Sequence, residues 1–419
     1  MEQPGIAAEL FGSDMCLSAS QTEKFYDCHF AYFCRYGLHI QPRRPARVDA
    51  AAFGTVVHYV METLLPVYVG CGGEGGLIAR LKADDEAMAG RSEAEKAAAE
   101  NALQAELMTR LRGDVHRVVT AFVEEQMGGS ERRSGRFLYQ LQLTERAACN
   151  MLWHTIMELR QSLFTPRDYE LSILPDPDSG RDGVLSVRLP YSGGQLRLTG
   201  KVDRVDLYIR FDGQAFVRVV DYKTGSKTFD LSELTAGLNT QMLLYLFIIC
   251  DNSRRYLEGS GQLHPAGVLY HPLSDTVVER STPDARQARL RSMCMSGLVL
   301  DDPAVIHAME EHAESVFIPA KLDKAGAPKG NVITPRQFAL LRGVVEQLLR
   351  NMAEQLAAGD IAALPLINEN HDPCRYCDYR VVCCREDEDP ARPLCSRSMA
   401  AVLEELEAAE DAQEVTENG

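Results

Sequence analysis

Residues 198–225 read LTGKVDRVDLYIRFDGQAFVRVVDYKTG, and their pattern decides the fold. Apolar and β-branched residues recur on both sides of Phe211-Asp212-Gly213-Gln214, a turn-forming run that predicts a β-hairpin of strands 195–210 and 215–222. Val217, Val219 and Val220 predict a buried second strand, yet it ends abruptly in Asp221 and Lys223. Charges at the end of a buried strand need partners or a ligand. Residues two apart on a strand share a face, so Asp221 and Lys223 are neighbours, and a hairpin brings Asp203 beside them. Two carboxylates make a hard-oxygen site suited to Mg²⁺ or Mn²⁺, with the backbone carbonyl of Tyr222 as a further ligand. An Asp-x-Lys pair by itself would be an ordinary surface ion pair.

Outward from the hairpin, the texture changes at Pro166. Before it lie helical patterns: 18–36 with Ser18 or Ser20 as N-cap and Gly37 as stop, 50–69, and an Ala/Glu-rich region over 77–164 broken near 128–135. After it come short strand-like runs (YELSIL, VLSVRLPY), the hairpin, an apolar helix over 238–257 and a strand near 266–271. Further helices are predicted over 283–299, 302–312 and 334–358. The expectation is one α/β domain, a mixed central sheet flanked by helices. It spans residues 16–385, with a helical insertion at 77–164 and a cysteine loop at 371–384, and is followed by a flexible acidic tail, 386–419.

Composition narrows the class. The longest strongly apolar run, Met242–Cys250, is far too short for a membrane span, and the first residues lack the pattern of a signal peptide. A cytoplasmic location is expected, and there clustered thiols among twelve cysteines point to metal binding sooner than to disulfides. The net charge of −16 argues against a nucleic-acid partner, but −9 of it falls in residues 386–419, leaving −7 for the first 385. Two basic clusters, Arg35/Arg43/Arg44/Arg47 and Arg286/Arg289/Arg291, read first as solvated faces.

HDPCRYCDYRVVC, residues 371–383, supplies Cys374, Cys377 and Cys383 as C-x-x-C-x5-C, one thiolate short of the four that a cluster or a zinc ion takes. Spacing alone does not name the fourth. His58, alone on its predicted helix, reads from the residues as a core or surface histidine.

GKVDRVD (200–206), VVDYKTG (219–225) and Gln241-x-x-x-Tyr245 together resemble the RecB-like group of PD-(D/E)XK nucleases, in particular the nuclease domain of AddB-type subunits of bacterial helicase–nucleases. The resemblance implies that Asp203, Asp221 and Lys223 are catalytic and that His58, in FGTVVHYVMETLL, is a metal ligand through neutral imidazole. It also implies that Gln241 and Tyr245 contact DNA or support the site. Asp206 reads as structural, and Glu170 has a weaker claim to the site. From SASQTEKFYDCHFAYFCRYGL the resemblance picks Cys28 as fourth ligand of a structural 4Fe–4S cluster, with Cys34 and Cys384 as competitors and zinc as the alternative metal. Such a cluster would close a loop of about 350 residues. The implied partners are DNA, chiefly single-stranded ends, and an AddA-like helicase–nuclease subunit. No G-x4-G-K-[ST] motif is present; Gly225–Thr228 only mimics its end. A non-catalytic DNA-binding scaffold and a stand-alone CRISPR-associated nuclease are the competing readings.

Overall fold

The computed structural model describes residues 4–41, 50–70, 76–129, 133–177, 182–223, 229–273, 285–311, 315–386 and 388–417. Helix α1 (Pro4–Phe11) and strand β1 (Asp14–Ser18) lead into α2 (Ala19–Asp27), which Ser18 and Gln21 open with a reciprocal capping box. The single helix expected over 18–36 is interrupted. Cys28 is fully extended, and the chain restarts as α3 (His29–Tyr32) running into a π-helical turn (Phe33–Gly37).

Helix α4 (Ala50–Val69) matches its expected span. The insertion is three helices: α5 (Leu77–Met88), α6 (Glu93–Met127) and α7 (Gly135–Gln161). Leu107, Leu111, Val115, Val119 and Phe122 form one buried stripe on α6, and α6 packs on α4 and α7. Every residue of α7 from Ala147 to Leu159 is buried, so this helix is core rather than appendage.

The sheet follows: β2 (Thr165–Leu174), β3 (Val184–Leu185), β4 (Arg188–Tyr191), β5 (Gly194–Ile209) and β6 (Ala215–Lys223). Strands β5 and β6 form the expected antiparallel hairpin, closed by Gly213 in a left-handed conformation and by Asp212 accepting from the Gln214 amide at 3.0 Å. Next come α8 (Leu231–Thr235), α9 (Gln241–Asp251), β7 (Leu263–Pro272) and α10 (Ala285–Ser292). The helix expected to run to residue 299 stops at Ser292. Ser296–Leu300 is strand β8 instead, because its apolar run fills a place beside β7. Helix α11 (Pro303–Met309), the short strands β9 (Ala320–Leu322), β10 (Pro328–Gly330) and β11 (Val332–Ile333), and α12 (Pro335–Ala357) complete the core.

Among the described residues the main sheet has nine strands, in the order β11-β8-β7-β6-β5-β2-β3, with β1 and β4 pairing along β5. It is mixed, as expected: β6 runs parallel to β7 but antiparallel to β5. Beyond α12, β12 (Leu366–Ile367) leads to the cysteine loop and its short helix α13 (Arg380–Cys383). Strand β13 (Arg392–Pro393) then returns to pair with β12. The acidic segment expected to be flexible contains helix α14 (Met399–Glu417), which docks on α12 and α8 through buried Val402 and Leu403, with Arg336 paired to Glu410. Its apolar residues, not its charge, decide its placement. None of the described helices is long and apolar enough to cross a membrane.

Candidate metal centre and cysteine site

Arg204 pairs with Val220 across the hairpin, which leaves Asp203 and Asp221 side by side at the end of the ladder. Asp203 accepts a hydrogen bond from the Tyr222 amide at 2.8 Å, so its carboxylate is aimed across the strands. His58 arrives from α4. Its Nε2 donates to the Tyr222 carbonyl at 3.0 Å, and its Nδ1 lies 3.4 Å from Asp203 and 3.7 Å from Glu170. Glu170 comes from β2, next to Asp203, in a left-handed conformation (φ 50°) that a glutamate rarely adopts. The ligand atoms of His58, Glu170 and Asp203 all fall within 4.8 Å of one another, close enough for one cation.

Asp221, beside Asp203, also pairs with Lys223, its neighbour on the same strand face, at 2.7 Å. The same ammonium lies over the Tyr270 ring, 5.7 Å from its centre. Burial, and then the charge of Asp203, push the Asp221 carboxyl up to about 6. Burial opposes charge on His58, but hydrogen bonds and charge from Asp203 and Glu170 override it and hold the ring up at about 10. Lys201 closes the cluster with an ion pair to Glu170 at 2.8 Å.

The family-implied pair Gln241 and Tyr245 lies on α9. The buried Tyr245 hydroxyl faces the Lys201 backbone and the Gln241 side chain. It also lies 2.4 Å from where a Cβ on residue 200 would stand, so the glycine leaves the room that the end of the Tyr245 ring occupies. The mimic of a phosphate loop ends in residues 224–228, outside the described residues, as are Arg43, Arg44 and Arg47.

Asp206 is structural. It is fully buried on the opposite face of the hairpin, where Arg204 and Arg218 both donate to it at 2.9 Å and also to Glu158 on α7. Sequence reasoning gives no role to Glu158 or the two arginines. The available signal is an arginine inside an otherwise apolar strand. Glu170 has only a weak claim in the sequence because its left-handed backbone leaves no mark in YELSIL.

At the other site, Cys28, Cys374, Cys377 and Cys383 line one cavity of about 60 Å³ with Lys24 and Arg385. Cys34 is buried nearby against Cys28 and Tyr379 but does not line it; nor does Cys384, whose thiol donates to the Val381 carbonyl at 3.2 Å. Burial raises the Cys28 thiol, and the neighbouring Cys377 and Cys383 add to this. A four-sulfur donor set converging on a small cavity fits a thiophilic metal or cluster.

The geometry defines a nuclease-like carboxylate–lysine centre, and comparison names its class: the model of the PD-(D/E)XK nuclease superfamily matches residues 16–384, and the chain belongs to that superfamily. The chain is also similar to the B subunits of the ATP-dependent helicase/deoxyribonucleases of Caldanaerobacter subterraneus subsp. tengcongensis (28% identity over 383 residues), Clostridium tetani (29% over 385) and Desulforudis audaxviator (29% over 390). These alignments cover 90–91% of the chain but 30% of each relative, so the chain spans under a third of their length. The solved protein SSO0001 aligns at 11% identity and a TM-score of 0.23, too weak a likeness to bear on the fold.

Proposed function

We propose that the chain is a divalent-metal-dependent DNA nuclease, acting as the nuclease part of a helicase–nuclease that processes DNA ends for recombinational repair. The observation that carries this reading is the convergence of His58, Glu170, Asp203, Asp221 and Lys223 at one end of the hairpin in a superfamily of nucleases. His58, Asp203 and Glu170, with the carbonyl of Tyr222 and the carboxylate of Asp221, would hold Mg²⁺ or Mn²⁺. When bound, such an ion polarises the scissile phosphate and lowers the pKa of an attacking water.

Lys223 leaves Asp221 to orient that water or to offset charge developing on the phosphate oxygens. Tyr245 and Gln241 hold the Asp203 strand in register with the Asp221 strand. Helicase action is in the name of the relatives; here it would come from elsewhere, in an AddA-like partner that feeds single-stranded ends to the site. Cys28, Cys374, Cys377 and Cys383 would hold a structural 4Fe–4S cluster.

End-labelled single-stranded and duplex DNA, incubated with the chain in Mg²⁺ or EDTA beside Asp221→Ala, tests the proposal. Cleavage that needs the metal and vanishes in the variant is expected. Cleavage surviving Asp221→Ala would overturn the site assignment.

A further inference from the structure

The two halves of the cysteine site are joined by more than thiols. Asp27 accepts from His371 at 2.9 Å, and His29 lies 3.0 Å from Asp360. The Phe30 amide donates to the Ala362 carbonyl at 3.2 Å, and the Tyr379 hydroxyl donates to the Ile40 carbonyl at 2.9 Å. The contact that draws most on chain beyond the cysteines is made by Arg392. Pairing of β13 with β12 (Leu366 with Arg392) returns this residue to Cys28 after the last thiol of the loop. Its Nε donates to the Leu364 carbonyl at 3.0 Å, and a terminal nitrogen donates to the Tyr26 carbonyl. Leu364 belongs to the segment leading to Cys374; Tyr26 belongs to the last turn of α2, two residues before Cys28. One planar guanidinium thus ties both halves, using the fork geometry that lysine lacks.

Arg392 is half-buried, and its charge is felt by Cys28, Tyr26 and Asp360. It lies beyond residues 16–384, the part matched by the superfamily. Arg385 lines the cavity and its charge favours the Cys374 thiolate, but its guanidinium donates to the Asp389 carbonyl on its own loop, so it does not tie the two halves together.

We propose that Arg392 is a positioning residue of the metal–sulfur site, clamping the end of α2 to the segment before the cysteine loop and holding a fixed cation beside the Cys28 thiolate. The inference rests on reading the four cysteines as a metal–sulfur site. Thiolates gathered in a partly dry cavity repel one another, and a fixed cation offsets that repulsion. The same cation favours the more negative, reduced state of a bound cluster, so it raises the reduction potential.

The test uses the full chain and its Arg392→Gln and Arg392→Lys variants, purified anaerobically. Iron, sulfide and zinc content, visible absorption, metal loss to a chelator and thermal unfolding are measured, with reduction potential by titration where iron is found. Arg392→Gln is expected to lower occupancy, speed metal loss several-fold and shift an iron cluster to a more negative potential. Arg392→Lys keeps the charge but not the fork, so it should lose metal faster while staying near the wild-type potential. Wild-type occupancy, loss rate and potential in Arg392→Gln would overturn the inference. Should that variant fail to fold, a wild-type loss rate in Arg392→Lys would overturn the clamp. A wild-type chain holding neither iron nor zinc would refute the metal–sulfur reading itself, a separable result.

Discussion

On the back of the β5–β6 hairpin, Arg204 and Arg218 meet Asp206 and Glu158, while on the front Asp203, Asp221 and Glu170 meet His58, Lys223 and Lys201. The strands are the same and the residues alternate, but the two sets are neutralised differently. The back set is two guanidiniums against two carboxylates, with side chains 0–1% exposed, and it balances without outside help. On the front, Asp203 and Glu170 hold the His58 ring up at about 10, burial and Asp203 push Asp221 up to about 6, and Lys223 pairs with Asp221. Buried charge that closes on itself is structure; carboxylates gathered tightly enough to shift the protonation of their neighbours are where a cation would bind.

Breaking the back set should have the largest effect on folding. Arg218→Met leaves Asp206 and Glu158 short of a partner in a dry interior, and a loss of about 3–5 kcal/mol is expected in denaturant unfolding. A loss below about 1 kcal/mol would mean that the network is wetter than its burial indicates.

The front should respond in activity. Lys223→Ala should slow metal-dependent DNA cleavage by roughly 10²-fold or more, on the scale of removing one preorganised charge-stabilising group. Its unfolding midpoint should fall much less than that of Arg218→Met, since Lys223 is partly exposed and Asp221, already pushed up to about 6, can take up a proton when its partner is lost. Equal losses of stability and activity would erase the contrast between the faces.

A third expectation concerns pH. His154 and His271 lie behind the sheet, 2.9 Å apart at Nδ1 and Nε2. Burial lowers His154 to about 3 and His271 well below the ordinary range. Both rings are therefore neutral when folded but take up protons when unfolded once pH drops below about 6.5. The unfolded state then binds more protons, so stability should fall as pH is lowered from about 7 to about 5, by up to about 1.4 kcal/mol per unit for each ring. Replacing His154 with Gln should flatten that slope in pH-dependent unfolding; an unchanged slope would assign it to other groups.

The smallest signal is a proton count. Asp203 and Glu170 hold the His58 ring up at about 10, so at about pH 8 it should be protonated; ligation requires its neutral form, so Mn²⁺ binding should release about one proton there. Calorimetry in buffers of different ionisation enthalpy reads this, and His58→Gln should abolish the release.

Much of this contrast was legible in sequence, for identifiable reasons. The hairpin announced itself through its turn residues and valines, α4 through its spacing, and the cysteine loop through C-x-x-C-x5-C. Asp203, Asp221 and Lys223 fall where the strand pattern puts them. What stayed hidden depends on distant chain or on backbone conformation. Glu158 is 46 residues from Arg204, and nothing local in α7 says that this glutamate is buried. Glu170 enters the site by a left-handed twist that strand periodicity cannot express. Cys28 breaks the expected helix with an extended backbone that nothing in the neighbouring residues announces. Strand β8 looked helical until β7 offered it a neighbour.

The most direct measurement of the central claim is Mn²⁺ binding, followed by electron paramagnetic resonance, to the wild-type chain and to Asp203→Asn, with unfolding curves confirming that both are folded. The wild-type chain should take up the ion at the front of the hairpin, and Asp203→Asn should lose most of that binding. A folded wild-type chain that binds no ion, or an Asp203→Asn chain that binds it equally well, would contradict the placement of the metal centre.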